Sequence, residues 1–318
     1  MSLHAMTESC KICKNLAMTE PPGPPPPLGP IQSTTPFEDP ADPLISADYA
    51  GWWQKNRNLF QAYWRPLAVL QGIGAIAALV LRIPASLVQA IQTRALRDAG
   101  QLDSAGIRHA VAKALPALTI GAVGSILAGL VLALVSLAGI RLLVTGVTGG
   151  QPSIPDALRG ALGRLFPLVG WSLLAGLIVL LGFCACFLPA LYFAAVFAVL
   201  PAVVLFERGG AIVRCFKLFH GDFSASIARV ATLIGIAIAA SLFSSSVGTI
   251  VNTVAHAWSA GTGGLVSGTV VGTVFQVAVA AALGVLLTPL LLTTYADERA
   301  RLEPLHTGIL ARELAPAH

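Results

Sequence analysis

Acidic residues are almost missing from the long middle of this chain. Between residues 49 and 296 there are only Asp98, Asp103, Asp156, Glu207 and Asp222, and each falls in a stretch that reads as a loop or a surface helix. Proton-coupled pumps and many cation pathways place ionisable groups inside their spans, so this scarcity argues against a proton-driven antiporter. Charge of either sign is scarce as well. Charged residues make up 11% of the sequence against 55% hydrophobic residues, with a mean hydropathy of +0.77, whereas a soluble domain carries about 25% charged residues. No block of the 318 residues is polar enough to hold a soluble enzyme domain. No apolar run follows Met1, which argues against a secretory signal.

Five cysteines do not make a disulfide framework. Cys184 and Cys186 sit in an apolar run and Cys215 in an amphipathic one. Cys10 and Cys13 form a lone C-x-x-C with no second ligand pair at zinc spacing, and read as two thiols in a tail. No motif sets a nucleophile beside a base, and His220 near Asp222 reads as a helix-end histidine with a local acid. We expect no catalytic residue, no cofactor and no metal, and hence not an enzyme.

What is present is a succession of apolar runs. Residues 1–49 are an acidic, Pro-rich tail. They carry ten of the 21 prolines and six acids against Lys11 and Lys14, a composition that favours polyproline II over a packed core. Residues 50–296 read as a domain of six transmembrane helices, at about 66–90, 117–145, 168–187, 188–206, 227–251 and 265–294. Residues 297–318 read as a cytoplasmic C-terminal tail. The fold class is therefore all-α, a polytopic membrane bundle of six spans with amphipathic helices on the cytoplasmic face.

Three stretches, 50–64, 153–165 and 209–220, pair an apolar face with two or more cations and adjoin spans, as helices in the headgroup layer do. Arg208, Arg214 and Lys217 are the residues expected to contact anionic lipid there. The other reading is that these helices only turn the chain and cap the bundle. Arg82 and Arg141 lie near the ends of spans, where snorkelling is expected. Lys55, Arg57, Arg65, Arg159, Arg164, Arg208, Arg214, Lys217, Arg299 and Arg301 fall on one side of the six-span topology, which puts both termini in the cytoplasm of a bacterial plasma membrane. Residues 91–114, with four basic residues, are the one basic loop left outside. Gly121, Ser125 and Gly129, and again Gly264, Gly268 and Gly272, recur every four residues, a spacing that lets a second helix backbone come close.

The acidic Pro-rich start, YWRPL before the first span, LPALYFAAVFAVLPAVVLFERGGAIVRCFKLFHGDF in the middle and TPLLLTTYADERARLE near the end together resemble a group of actinobacterial integral membrane proteins. That group is related to the membrane domain attached to some glycerophosphoryl diester phosphodiesterases. The resemblance covers about residues 50–305 and implies a six-helix bundle with both termini inside. The carboxylates and histidines of the phosphodiesterase barrel have no counterpart here, so the resemblance carries over no catalytic residue. It also suggests Met18 as a start, since MTEPPGPPPP opens as members of the group do; a start at Met1 is the alternative. Three functions follow: a scaffold or accessory factor of the cell envelope, a transporter or permease subunit for a lipid or other apolar substrate, and a recruiter of protein partners through the Pro-rich tail. The partners expected are the lipid bilayer, including anionic lipid at the inner face, and no nucleic acid.

Overall fold

A computed structural model describes residues 42–98, 104–258 and 262–314, and among them every regular element is helical. The chain runs through α1 (Tyr49–Asp98), α2 (Ser104–Val147), α3 (Ile154–Ala185), α4 (Phe187–Val196), a 3₁₀ turn (Phe197–Val199), α5 (Leu200–Phe206), α6 (Ala211–Gly221), α7 (Phe223–Trp258), α8 (Thr262–Ala300) and α9 (Thr307–Leu314). Six segments are long and apolar enough to cross a membrane: Tyr49–Gln92, Thr119–Val147, Ile154–Ala185, Phe187–Phe206, Phe223–Ala255 and Gly263–Ala300. The shortest, 20 residues, gives about 30 Å of helix, the thickness of a hydrocarbon core. These helices make the chain an all-α polytopic membrane bundle.

Amphipathicity here has the pattern of a membrane protein. Large apolar side chains such as Ile76, Val80, Leu173, Leu181 and Leu242 point outward, while the interior is filled by Leu137, Ile140, Leu143, Ala202 and Val203. Lipid solvates the outer chains, so the bundle needs no apolar stripe on one side only. Local chemistry sets the breaks. Ser153 caps α3 by accepting from the Asp156 N–H at 3.5 Å, and Pro155 follows in the first turn. Gly149, at φ +82, turns the chain after α2. The α3–α4 hairpin closes at Cys186 because Gly182 has no side chain; a Cβ there would stand 3.0 Å from the Ala190 nitrogen. The 3₁₀ turn directly precedes Leu200–Pro201, where proline removes a backbone donor from the fourth span.

The helices expected in the headgroup layer need correcting. Residues 50–64 are the first four turns of α1, continuous with the first span through Pro66, and Trp52 is buried there. Residues 153–165 are likewise the start of α3, continuous through Pro167. Proline inside a helix usually kinks or breaks it. Yet proline is tolerated where neighbouring helices satisfy the freed carbonyl. Of the three stretches, only 209–220 stands apart, as α6. It buries Ala211, Cys215, Leu218 and Phe219 and packs Phe216 and Phe219 around Tyr192, Phe193 and Phe197.

The tail boundaries differ too. Residues 42–46, assigned to the N-terminal tail, are buried apart from half-buried Pro43. Residues 297–300 complete α8, and α9 packs Leu310 fully inside, so the start of the C-terminal tail is part of the fold. Cys10, Cys13, Met18 and the Pro-rich run lie outside the described residues.

Candidate functional site

The ends of α2, α5 and α8, the starts of α1, α3 and α7, and all of α6 and α9 meet at one end of the bundle. The described chain enters there at Asp42 and leaves at Leu314. At this charged face every residue from Leu292 to Ala300 is buried, although Asp297, Glu298 and Arg299 carry charge. A helix end enclosed on all sides exposes no flank to water, so each charged side chain must find an internal partner.

The partners radiate from α8. Asp297 is 0% exposed in its side chain and stands 3.2 Å from the guanidinium of Arg229, 2% exposed, on α7. Its Oδ1 accepts from the Ser46 backbone N–H at 2.5 Å, and Arg229 donates to the Ser46 carbonyl at 3.2 Å. The segment before α1 is thus clamped by both members of one buried ion pair. Glu298, 1% exposed, lies close to Arg229 and Ser226 on α7. Arg299 forks onto Glu313 of α9 with two bonds of 2.7 Å and reaches Glu303 at 3.2 Å. Arg301 pairs with Asp222 and donates to the Ala47 carbonyl at 3.0 Å. Tyr295 donates to Glu207 at 3.0 Å, and Thr293 donates to Asn56 on α1.

Residues 42–48 hold their own side of this network. Asp42 Oδ1 accepts from the N–H groups of Leu44 and Ile45, an Asx turn, and from the hydroxyl of Thr307 at 2.7 Å. Its Oδ2 accepts from the Thr307 N–H at 2.9 Å. Lys55 donates to the carbonyls of Asp42 and Ile45. Asp48 caps α1 by accepting from the Gly51 N–H at 3.0 Å. The result is a strap, drawn over the end of the bundle and pinned to α1, α7, α8 and the start of α9.

Of the residues expected at anionic lipid, Arg208 and Lys217 are exposed, but Arg214 is turned inward. Its Nε stands 2.7 Å from Glu207, and it also pairs with Glu303. Burial lowers its affinity for a proton, but the bonds to the two carboxylates more than reverse this and raise its pKa above the ordinary arginine value. A charge matched by two carboxylates has little left for a lipid phosphate, so the expected triad reduces to Arg208 and Lys217. Arg141, expected to snorkel, instead donates to the Leu314 carbonyl at 3.1 Å. Cys215 faces the network from α6. Burial, then the negative charge of Glu298 and Glu207, pushes its thiol up to about 12.

The small-residue stripes divide. On α2, Ser125 and Gly129 are exposed and a Cβ at Gly129 would meet nothing within 4 Å. The close contact with α1 runs instead through Gly124, where a Cβ would stand 2.8 Å from Ala85 Cβ and 3.1 Å from the Leu81 carbonyl, and through Ala128. Gly121 is buried beside Ala85. A strict four-residue count drifts round a 3.6-residue helix, which is why the contact row passes through Gly124. On α8, Gly264, Gly268 and Gly272 are all buried, with Gly268 and Gly272 set against Asn252 of α7.

Fold and site together define a class: a multi-pass helical membrane protein in which, among the described residues, a network of buried and half-buried charged groups is gathered at one end. Among the described residues no group of three or more His, Cys, Asp or Glu side chains could hold a metal. No family model, curated protein or solved structure matches the chain.

Proposed function

We propose that this is a non-catalytic integral membrane protein, a scaffold or accessory factor of the bacterial cell envelope, with its charged face in the cytoplasm. The observation that carries this reading is the use made of the charges. Arg229, Asp297, Arg299, Arg301 and Arg214 are bound to one another's segments by short bonds, so they fix the shape of a surface and are not free to act on a substrate. The exposed cations at the same end, Arg208 and Lys217 among them, give that surface its affinity for anionic lipid. Near an anionic leaflet each is worth about 1 kcal/mol. The strap supports a role for the tail: Asp42 is pinned at the charged face, and the Pro-rich sequence that precedes it can recruit a protein partner. Two stretches that carry the resemblance to phosphodiesterase-associated membrane domains, 188–223 and 288–303, supply α6 and the α8 hub.

A second reading, a transporter or permease subunit for a lipid, is favoured by one feature. A groove of about 170 Å³ between α1 and α8 is lined by Trp53, Phe60, Leu286, Pro289 and Leu290, with Arg57 at its rim. Its apolar walls and single cation suit an acyl chain with an anionic headgroup. Reconstitution into liposomes with fluorescent phospholipid in one leaflet separates the readings. The scaffold reading predicts flip rates equal to those of protein-free vesicles, and protein-dependent movement overturns it. Cysteines at Gly209 and Ala260 test the orientation: the second labels from outside in intact cells and the first does not.

A further inference from the structure

The hairpin of α7 and α8 has a polar face in its membrane-spanning part, and that face has no partner within the chain. Gln276 of α8 is exposed and lies about 20 Å of helix inside the nearer end of its span at Gly263. Ser244 and Ser245 on α7 stand beside it, and Ser246 follows them, exposed, on the same helix. Gln276, Ser241, Ser244 and Ser245 line one shallow groove of about 250 Å³, walled also by Ala280 and Leu283. Several other hydroxyls on these helices satisfy themselves on their own backbone. Ser241 donates to the Ala237 carbonyl at 2.8 Å, Thr249 to Ser245 at 3.0 Å and Thr269 to Leu265 at 2.7 Å. Among the described residues, the side chains of Gln276, Ser244, Ser245 and Ser246 make no hydrogen bond. Lipid tails offer neither donor nor acceptor, so an amide left facing them is strongly unfavourable.

We propose that this face is covered by the same face of a second copy of the chain, giving a twofold dimer bonded through Gln276. The chemistry is self-complementary. A carboxamide both donates and accepts, and so does a hydroxyl, so two identical faces related by a twofold axis satisfy each other without any further group. The shape also fits. Ala237, Ser241 and Ser245 follow one another at four-residue spacing on α7, and small side chains at that spacing let a second backbone approach to hydrogen-bonding distance. The face is available: α7 packs along its length chiefly on α8, and Ser241, Leu242, Phe243, Ser245 and Ser246 all point away from the bundle.

The test is the number of chains per particle in lipid bilayers. Full-length protein with a fluorophore at its C-terminus, reconstituted at high dilution into large vesicles, is counted by single-molecule photobleaching. The dimer predicts two bleaching steps. Gln276→Leu is expected to weaken association about tenfold, Ser244→Ala/Ser245→Ala/Ser246→Ala to weaken it less, and Gln276→Asn to retain it. Residue 276 faces outward, so circular dichroism and thermal stability of the monomer remain those of the wild type. One bleaching step at every density, or two steps that Gln276→Leu leaves unchanged, overturns the proposal. Co-purification of another membrane protein or lipid with a monomer gives the first of these results.

Discussion

Removing the charge of Arg229 is the sharpest perturbation of the charged face. Arg229→Met keeps much of the apolar stem but leaves Asp297, fully enclosed, without its counter-ion, and the Ser46 carbonyl without a donor. Breaking one side of a buried ion pair costs about 3–5 kcal/mol, because the remaining charge stays buried. Asp297→Asn leaves an acceptor for the Ser46 N–H and takes the paired carboxylate from the guanidinium, which keeps only Glu298 and the more distant Asp222 as counter-charges, so it too is destabilising, by less than Arg229→Met. The double variant strands neither member of the pair; it loses the polar contacts of Arg229 and, just as Arg229→Met does, takes that cation away from Glu298. Its cost is therefore well below the sum of the two, with a coupling of about 2 kcal/mol or more. The assay is equilibrium unfolding of the three variants and the wild type in mixed detergent micelles, followed by helical ellipticity. Additive costs, or a single-variant cost within about 0.5 kcal/mol of zero, which is the range of surface substitutions, would refute the reasoning.

Three further outcomes follow from the same geometry. Asp42→Ala removes the acceptor of four hydrogen bonds and should cost about 4 kcal/mol at a net ~1 kcal/mol for each such bond; protease cleavage between Leu44 and Tyr49 should appear in the variant and not in the wild type. Gly124→Ala must displace Ala85 or the Leu81 carbonyl and should lose about 1–3 kcal/mol. Gly129→Ala meets open space and should be neutral or stabilising by about 0.5–1 kcal/mol, both read by the same unfolding assay. The Asp222 carboxylate accepts from the Ala225 N–H and faces Arg301, so its pKa lies below the ordinary 3.8 despite some burial. A carboxylate depressed on folding adds stability above its unfolded pKa and loses it as pH falls through the folded one. Acid unfolding between pH 4 and 2 should therefore be shallower in Asp222→Asn than in the wild type.

Most of the fold could be read from the sequence because hydrocarbon thickness and apolar run length leave few alternatives. The six spans, the tight turn at Cys186 and the separate α6 all follow from run length and from Pro and Gly. The charged face was much less legible. Asp297, Glu298, Arg299 and Arg301 read as a cytoplasmic marker because charge after an apolar run usually means that the helix has reached water. No Gly or Pro stops the helix between Leu290 and Ala300, and that continuity was the available signal that the charges extend a packed helix. The strap had a signal of its own: Asp42-Pro43 before the apolar pair Leu44-Ile45, inside an otherwise acidic tail. Arg214 lies on an amphipathic helix like a lipid-facing cation. Its partners Glu207 and Glu303 are 7 and 89 residues away, and no local pattern shows that the second of them folds back. The polar face around Gln276 was not legible, since four-residue spacing alone places Gln276 with the buried Gly264, Gly268 and Gly272, and whether a serine bonds its own backbone depends on its rotamer.

The central claim is that the segment before the first span is a fixed part of the domain, held by a buried ion pair. Hydrogen exchange of the Ser46 amide, measured by mass spectrometry on the protein in lipid nanodiscs, tests it directly. That amide donates at 2.5 Å to a carboxylate with no exposed surface. Its exchange should be as slow as that of the buried end of α8 at Leu292–Ala300, and should quicken sharply in Arg229→Met. Exchange of Ser46 at the rate of an unstructured peptide in the wild-type protein would contradict the account.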